Sequence, residues 1–156
     1  MSKTNGIVFP YGIKLKEDGI VEIFPAVKLF FFSKDSEKLS LFLIIDSGAT
    51  ISALPKSDAE VLGIQLENGI PLSISGIGGE RINGWKHEIT VYLEDRIIQL
   101  PVVFIDNEFA PRVLGRAGIF PRYTILFEEE KQRTGFIKKH SSSARNIQKI
   151  LDKLQY

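Results

Sequence analysis

Apolar residues in this chain gather in short runs separated by turn-forming residues, the spacing of strands rather than of long helices. Ile20 to Phe32, Leu39 to Ile45, Ile70 to Ile74, Glu88 to Leu93, Ile97 to Ile105 and Tyr123 to Phe127 are rich in Val, Ile, Leu, Phe and Tyr. Gly, Pro, Asp and Asn break them apart, which predicts short strands with turns between. Glu94-Asp95-Arg96 and the stretch from Glu130 to Gly135 read as hairpin connections. Two stretches depart from this pattern. Ser57-Asp58-Ala59-Glu60 is a capping-box pattern, and Val61-Leu62-Gly63 after it predicts one or two helical turns closed by glycine. From Ser143 onward, Ile147, Ile150, Leu151 and Leu154 recur at helical spacing with Lys149, Asp152 and Lys153 between them, predicting a terminal amphipathic helix.

Composition narrows the class. A chain of 156 residues is most simply one domain and is long enough to close a single core. We therefore expect residues 1–142 to form one domain, with the helix of residues 143–156 packed on it. The apolar content of 44% and charged content of 25% exclude wholesale disorder. A net charge of +1 gives no global drive towards nucleic acid or membranes. The absence of cysteine excludes a disulfide framework, a zinc–cysteine site and a thiol nucleophile together.

The first ten residues hold no apolar stretch long enough for a signal-peptide core. Val27 to Phe32 and Leu39 to Ile45 each fall far short of the ~20 apolar residues a membrane helix needs. The expectation is a soluble, cytoplasmic protein with no membrane partner. His87 and His140 stand in no ligand spacing, so no metal and no cofactor is expected. The tail carries Lys131, Arg133, Lys138, Lys139, Arg145, Lys149 and Lys153, and Phe136 is the one Phe, Tyr or Trp among them, short of an interleaved aromatic pattern. That charge reads as a solvated face, with no nucleic-acid partner.

The candidate chemistry begins at Leu43-Ile44-Ile45-Asp46-Ser47-Gly48-Ala49-Thr50. Apolar residues deliver a carboxylate from a strand into a turn that glycine makes possible. There we expect it to lose solvation and to titrate in response to its neighbours. Alone, Asp-Ser-Gly is a common turn tripeptide. Further features change the weighing. Ser75-Gly76-Ile77-Gly78-Gly79-Glu80 lies between strand-like stretches, and an apolar residue flanked by glycines suits a lid over an extended ligand. Arg112-Val113-Leu114-Gly115-Arg116 places an apolar pair and a glycine well downstream. None of Asp18, Asp35, Asp58, Asp95, Asp106 and Asp152 is followed by Ser-Gly or Thr-Gly, so the chain carries the motif once.

In this order the three elements resemble the retropepsin-like aspartic protease family, which includes retroviral proteases and their cellular relatives. The resemblance covers roughly Lys38 to Phe136. It implies an all-β fold, a closed retropepsin-like β barrel, with one short internal helix and a C-terminal helix. It further implies an aspartic endopeptidase acting as a homodimer on peptide or protein substrates. Asp46 then matches the catalytic carboxylate, and Ser47 matches the residue that ties the two catalytic turns together. Gly48 matches the residue that offers its carbonyl to the substrate, beside Ala49. Gly76, Ile77, Gly78 and Gly79 match the flap tip over the substrate. Gly115 matches the residue that lets the downstream strand pass behind the catalytic loop, next to Arg116. In the viral members an acidic residue follows the Asp-Ser/Thr-Gly-Ala block and pairs with the arginine matching Arg116; here Thr50 stands there. The rival reading is a catalytically silent dimer of the same fold that binds an extended peptide or protein partner.

Overall fold

The computed structural model describes residues 5–75, 79 and 81–154. In chain order its strands are β1 (Gly6–Pro10), β2 (Gly12–Leu15), β3 (Val21–Phe24), β4 (Ala26–Phe32), β5 (Lys38–Ile45), β6 (Ser52–Pro55), β7 (Ile70–Ser75), β8 (Arg81–Leu93), β9 (Arg96–Ile105), β10 (Val113–Leu114), β11 (Tyr123–Glu128) and β12 (Arg133–Lys138). Helix α1 (Lys56–Leu62) follows β6, and α2 (Ser142–Leu151) follows β12. The run Ile20 to Phe32 splits into β3 and β4 at Pro25, which has no N–H to give a ladder. The chain groups into two compact units, Val27–Ile119 and the combination of Met1–Ala26 with Phe120–Tyr156.

In the unit Val27–Ile119, one sheet runs in the order β4-β5-β10-β6-β9-β8-β7. A further pairing at Phe30↔Tyr92 joins β4 to β8, so the sheet returns on itself as a ring. The short β10 lies parallel to β5 through Val113↔Ile44 and Leu114↔Ile45, and antiparallel to β6 at Val113↔Ala53. Of the expected connection Glu94-Asp95-Arg96, only Glu94 and Asp95 form the turn from β8 to β9, with Glu94 at φ 54°, because Arg96 already pairs with Leu93. Leu29, Phe31, Leu43, Leu54, Phe104 and Leu114 fill the ring interior, all essentially excluded from solvent. Each such side chain contributes about 1.5–3 kcal/mol on leaving water.

Helix α1 forms close to where it is expected, but not by the expected cap. Pro55 occupies the N-cap position and no side chain caps the helix. Ser57 lies inside the first turn rather than before it. The stop is as read from the sequence: Gly63 takes φ 70°, and its N–H reaches the carbonyl of Glu60 at 3.1 Å. Strands β7 and β8 form an antiparallel hairpin closing at Ser75↔Arg81. Of its expected tip, Gly76, Ile77 and Gly78 lie outside the described residues, whereas Gly79 is exposed at φ 78°.

In the other unit, β12 is the central strand between β1 and β11, and β2 pairs with β3 as a separate ribbon. The hairpin between β11 and β12 closes at Glu128↔Arg133, so the turn falls earlier than the sequence suggests. Arg133 to Gly135 already belong to β12. Phe136 is fully buried and meets the rings of Phe9 and Tyr123 edge-on at 5.4 and 5.9 Å. Ser141 caps α2 by accepting the Ala144 N–H at 3.1 Å. Ile150 and Leu151 on this helix remain exposed.

Candidate active site

Strand β5 alternates, burying Leu43 and Ile45 while Phe42 and Ile44 face outward. It ends one residue before Asp46, and β10 fixes the exit. The Ile44 N–H donates to the Arg112 carbonyl at 2.9 Å, and the Asp46 N–H donates to the Leu114 carbonyl at 3.0 Å. The side chain is then oriented by its own loop. Asp46 Oδ1 accepts the N–H of Gly48 at 2.8 Å and of Ala49 at 3.3 Å. One carboxylate oxygen is thus held by backbone donors, a hydrogen-bonded Asx turn.

The segment after β10 closes against the same loop. The Arg116 N–H donates to the Ala49 carbonyl at 3.0 Å, and the Ala117 N–H to the Thr50 carbonyl at 2.9 Å. Just before these bonds Gly115 passes so close to Ile51 that an added Cβ would lie 2.4 Å from its carbonyl carbon. The Gly115 N–H donates to the buried Ser52 Oγ at 3.0 Å. Asp46, Ser47, Gly48, Ala49, Gly115 and Arg116 are therefore brought together, although the two segments are far apart in sequence.

Solvation differs from the expectation. Asp46, Ser47, Gly48 and Thr50 are all exposed and Ala49 is half-buried, because the loop leaves β5 at the surface of the chain. A single chain presents the carboxylate to water instead of desolvating it. Arg116 is also exposed, and among the described residues it has no ion-pair partner. Among those same residues no group of three His, Asp or Glu could hold a metal ion, and no helix is long and apolar enough to cross a membrane.

Two features escape a reading of the sequence. Asp58 on α1, only 5% exposed, receives both Arg112 Nε and Arg112 Nη2, each at 2.7 Å. The fork raises the Arg112 pKa, chiefly through its hydrogen bond to Asp58. The partners are 54 residues apart, and Asp58 in a capping-box pattern gives no local sign of a distant arginine. Ser52 is the second, a buried hydroxyl whose neighbours in sequence disclose nothing of Gly115.

The chain matches the sequence profile of the aspartyl protease family over residues 37–117. That span is just over half of the chain and holds both the Asp46 loop and β10. The chain belongs to the aspartyl protease family. Among solved structures it is similar to a retropepsin-like aspartic protease from Rickettsia conorii, with a TM-score of 0.55 and 17% identity. The match covers 85% of this chain and 99% of that one, and it shows an all-β retropepsin fold. A weaker likeness, to the EIAV protease complexed with the inhibitor HBY-793, has a TM-score of 0.45 and 21% identity, covering 60% of this chain and 82% of that one. No curated protein matches the chain.

Proposed function

We propose that the protein is an aspartic endopeptidase that hydrolyses peptide bonds as a homodimer, with Asp46 of each chain in one shared site. The observation that carries this reading is the setting of Asp46: a single exposed carboxylate, tied by its backbone to β10 and by Oδ1 to two amides. Orientation is fixed, and because the Asp-Ser-Gly motif occurs once in the chain, in this reading the second carboxylate of a two-carboxylate mechanism comes from another copy. A two-fold axis through this surface supplies it as a second Asp46.

Two carboxylates held about 3 Å apart cannot both ionise, so they share a proton and titrate as a pair. The ionised member takes a proton from water as general base, and the protonated member polarises the scissile carbonyl. Water attacks directly, giving a tetrahedral intermediate and no acyl-enzyme. In this reading Ser47 links the two loops, and the Gly48 carbonyl binds substrate backbone beside Ala49. Residues Gly76, Ile77, Gly78 and Gly79 cover the ligand, which lies extended as an added strand. Gly115 and Arg116 support the loop from behind.

The lack of an ion-pair partner for Arg116 among the described residues favours a second reading, a dimer that binds an extended peptide without cutting it. The two readings separate when the protein and its Asp46→Asn variant meet a diverse peptide mixture between about pH 4 and pH 7, the range in which a coupled carboxylate pair titrates. Cuts mapped by mass spectrometry and lost in the variant are expected. Absence of any Asp46-dependent cut by folded dimer would favour the binding module.

A further inference from the structure

We infer that Asp58 is a positioning residue for Asp46, acting through Arg112 and strand β10; the inference deepens the peptidase reading and rests on it for its catalytic consequence. The starting point is the smallness of β10. Only two residues, Val113 and Leu114, make up the strand that lies beside the end of β5. A strand that short has little pairing of its own to keep it in register, so its position depends on what anchors its ends. Downstream, Gly115 is fixed by Ser52 and by its close passage over Ile51. Upstream, the anchor is Arg112.

Both nitrogens of the Arg112 fork that face Asp58 are engaged, one on each carboxylate oxygen, at 2.7 Å. Such a bidentate contact fixes direction as well as distance, which a single lysine ammonium does not. The carboxylate is itself enclosed: Asp58 is buried on α1, which is closed by Gly63 and follows directly from β6. Strand β6 in turn pairs with β10 at Ala53↔Val113. The clamp thus ties the residue before β10 to the same local frame that holds β10 from the side.

The route to Asp46 is short. The carbonyl of Arg112 itself receives the Ile44 N–H, and two residues on the Leu114 carbonyl receives the Asp46 N–H. Releasing the guanidinium frees the Arg112 peptide to shift along β5, and the Leu114 carbonyl moves with it. A displacement of about 1 Å at a reacting carboxylate can cost up to about a hundredfold in rate.

The test uses the full chain with Asp58→Asn, Asp58→Glu and Arg112→Lys. Backbone amide exchange is followed by NMR at Ile44 and Asp46, with the amides of the β8–β9 hairpin as reference, and kcat and KM are measured on any peptide the wild type cleaves. In Asp58→Asn and Arg112→Lys, exchange at Ile44 and Asp46 should quicken about tenfold or more while the hairpin is unchanged. The kcat should fall about tenfold to a hundredfold with KM nearly constant, and Asp58→Glu should recover part of both effects. Arg112→Lys keeps the charge balance and serves if Asp58→Asn does not fold. Exchange unchanged at Ile44 and Asp46, or faster everywhere alike, would overturn the inference, as would an unaltered kcat in the folded protein. If the wild type makes no Asp46-dependent cut, the peptidase reading fails on its own, and the exchange data alone decide whether Asp58 positions Asp46.

Discussion

The Asp46 N–H and the Leu114 carbonyl meet at 3.0 Å, so the backbone of the proposed catalytic residue is held by a strand that lies far downstream in sequence. Hydrogen bonds from Arg116 to Ala49 and from Ala117 to Thr50 continue the same contact beyond the loop. The loop is consequently defined by two segments at once, and changes in either should be felt at Asp46.

Gly115 is the tightest point of that contact. Gly115→Ala places a methyl carbon 2.4 Å from the Ile51 carbonyl carbon, a backbone atom that no rotamer change can clear. Overpacking of this kind costs about 1–3 kcal/mol, and here we expect the upper end. A lower urea midpoint at unchanged m, together with loss of peptide cleavage, is the expected result.

Ser52→Ala leaves the shape of the site intact but removes the acceptor for the buried Gly115 N–H. An unsatisfied buried donor costs about 1–3 kcal/mol. Equilibrium urea unfolding should register that loss, and Ser52→Thr, which keeps the oxygen, should register less of it.

Arg112→Ala strands the Asp58 carboxylate, which is 5% exposed. Breaking a buried pair by removing one partner costs about 3–5 kcal/mol. The Arg112 side chain is 42% exposed, so water can reach the vacated place and the low end applies. The double variant Asp58→Leu/Arg112→Leu should lose less stability than Arg112→Ala alone, since no charge is then left buried; thermal unfolding of both checks this.

Much of the architecture was legible because its strands announce themselves by composition. The long runs ending at Phe32, Ile45, Leu93 and Ile105 are apolar enough for the sheet to be read from them, and the Gly63 stop of α1 follows from glycine's access to positive φ. Strands β6 and β10 were not legible. Ser52–Pro55 contains a proline and runs straight into a helix, and Val113–Leu114 is too short for any period to show. Strand β12 was hidden for another reason: Arg133, Thr134 and Gly135 look like turn residues, and only pairing with β1 and β11 makes them a strand. Within the site, Asp46 stood out as a motif, whereas Asp58 and Arg112 meet only through the fold. The solvation of Asp46 is not legible in its motif, which does not say that one chain leaves its loop open to water.

Acidification offers a separate check on the β11–β12 hairpin. Hydrogen bonding from Arg133 holds the Glu128 carboxyl below its usual range, with the charges of Arg133 and Lys131 adding to the effect and partial desolvation opposing it. A group with a depressed folded pKa stabilises the fold above its unfolded value, and that contribution is lost as pH falls through the folded value. The carboxyl titration of Glu128 by NMR should therefore have its midpoint below that of an ordinary solvated glutamate. In Glu128→Gln the part of the acid destabilisation due to this group should vanish from the urea midpoint measured between about pH 5 and pH 2.

In the proposed dimer one aspartate per chain makes half a site, and mixing of subunits shows whether both halves are needed. Wild-type protein and Asp46→Asn, co-refolded at equal total concentration in varied proportions, distribute randomly between dimers. If both Asp46 carboxylates are needed, activity follows the square of the wild-type fraction, so an equal mixture should retain about one quarter of the activity of the all-wild-type sample. Activity of about one half, linear in the wild-type fraction, would mean that each chain acts alone and that no site is shared.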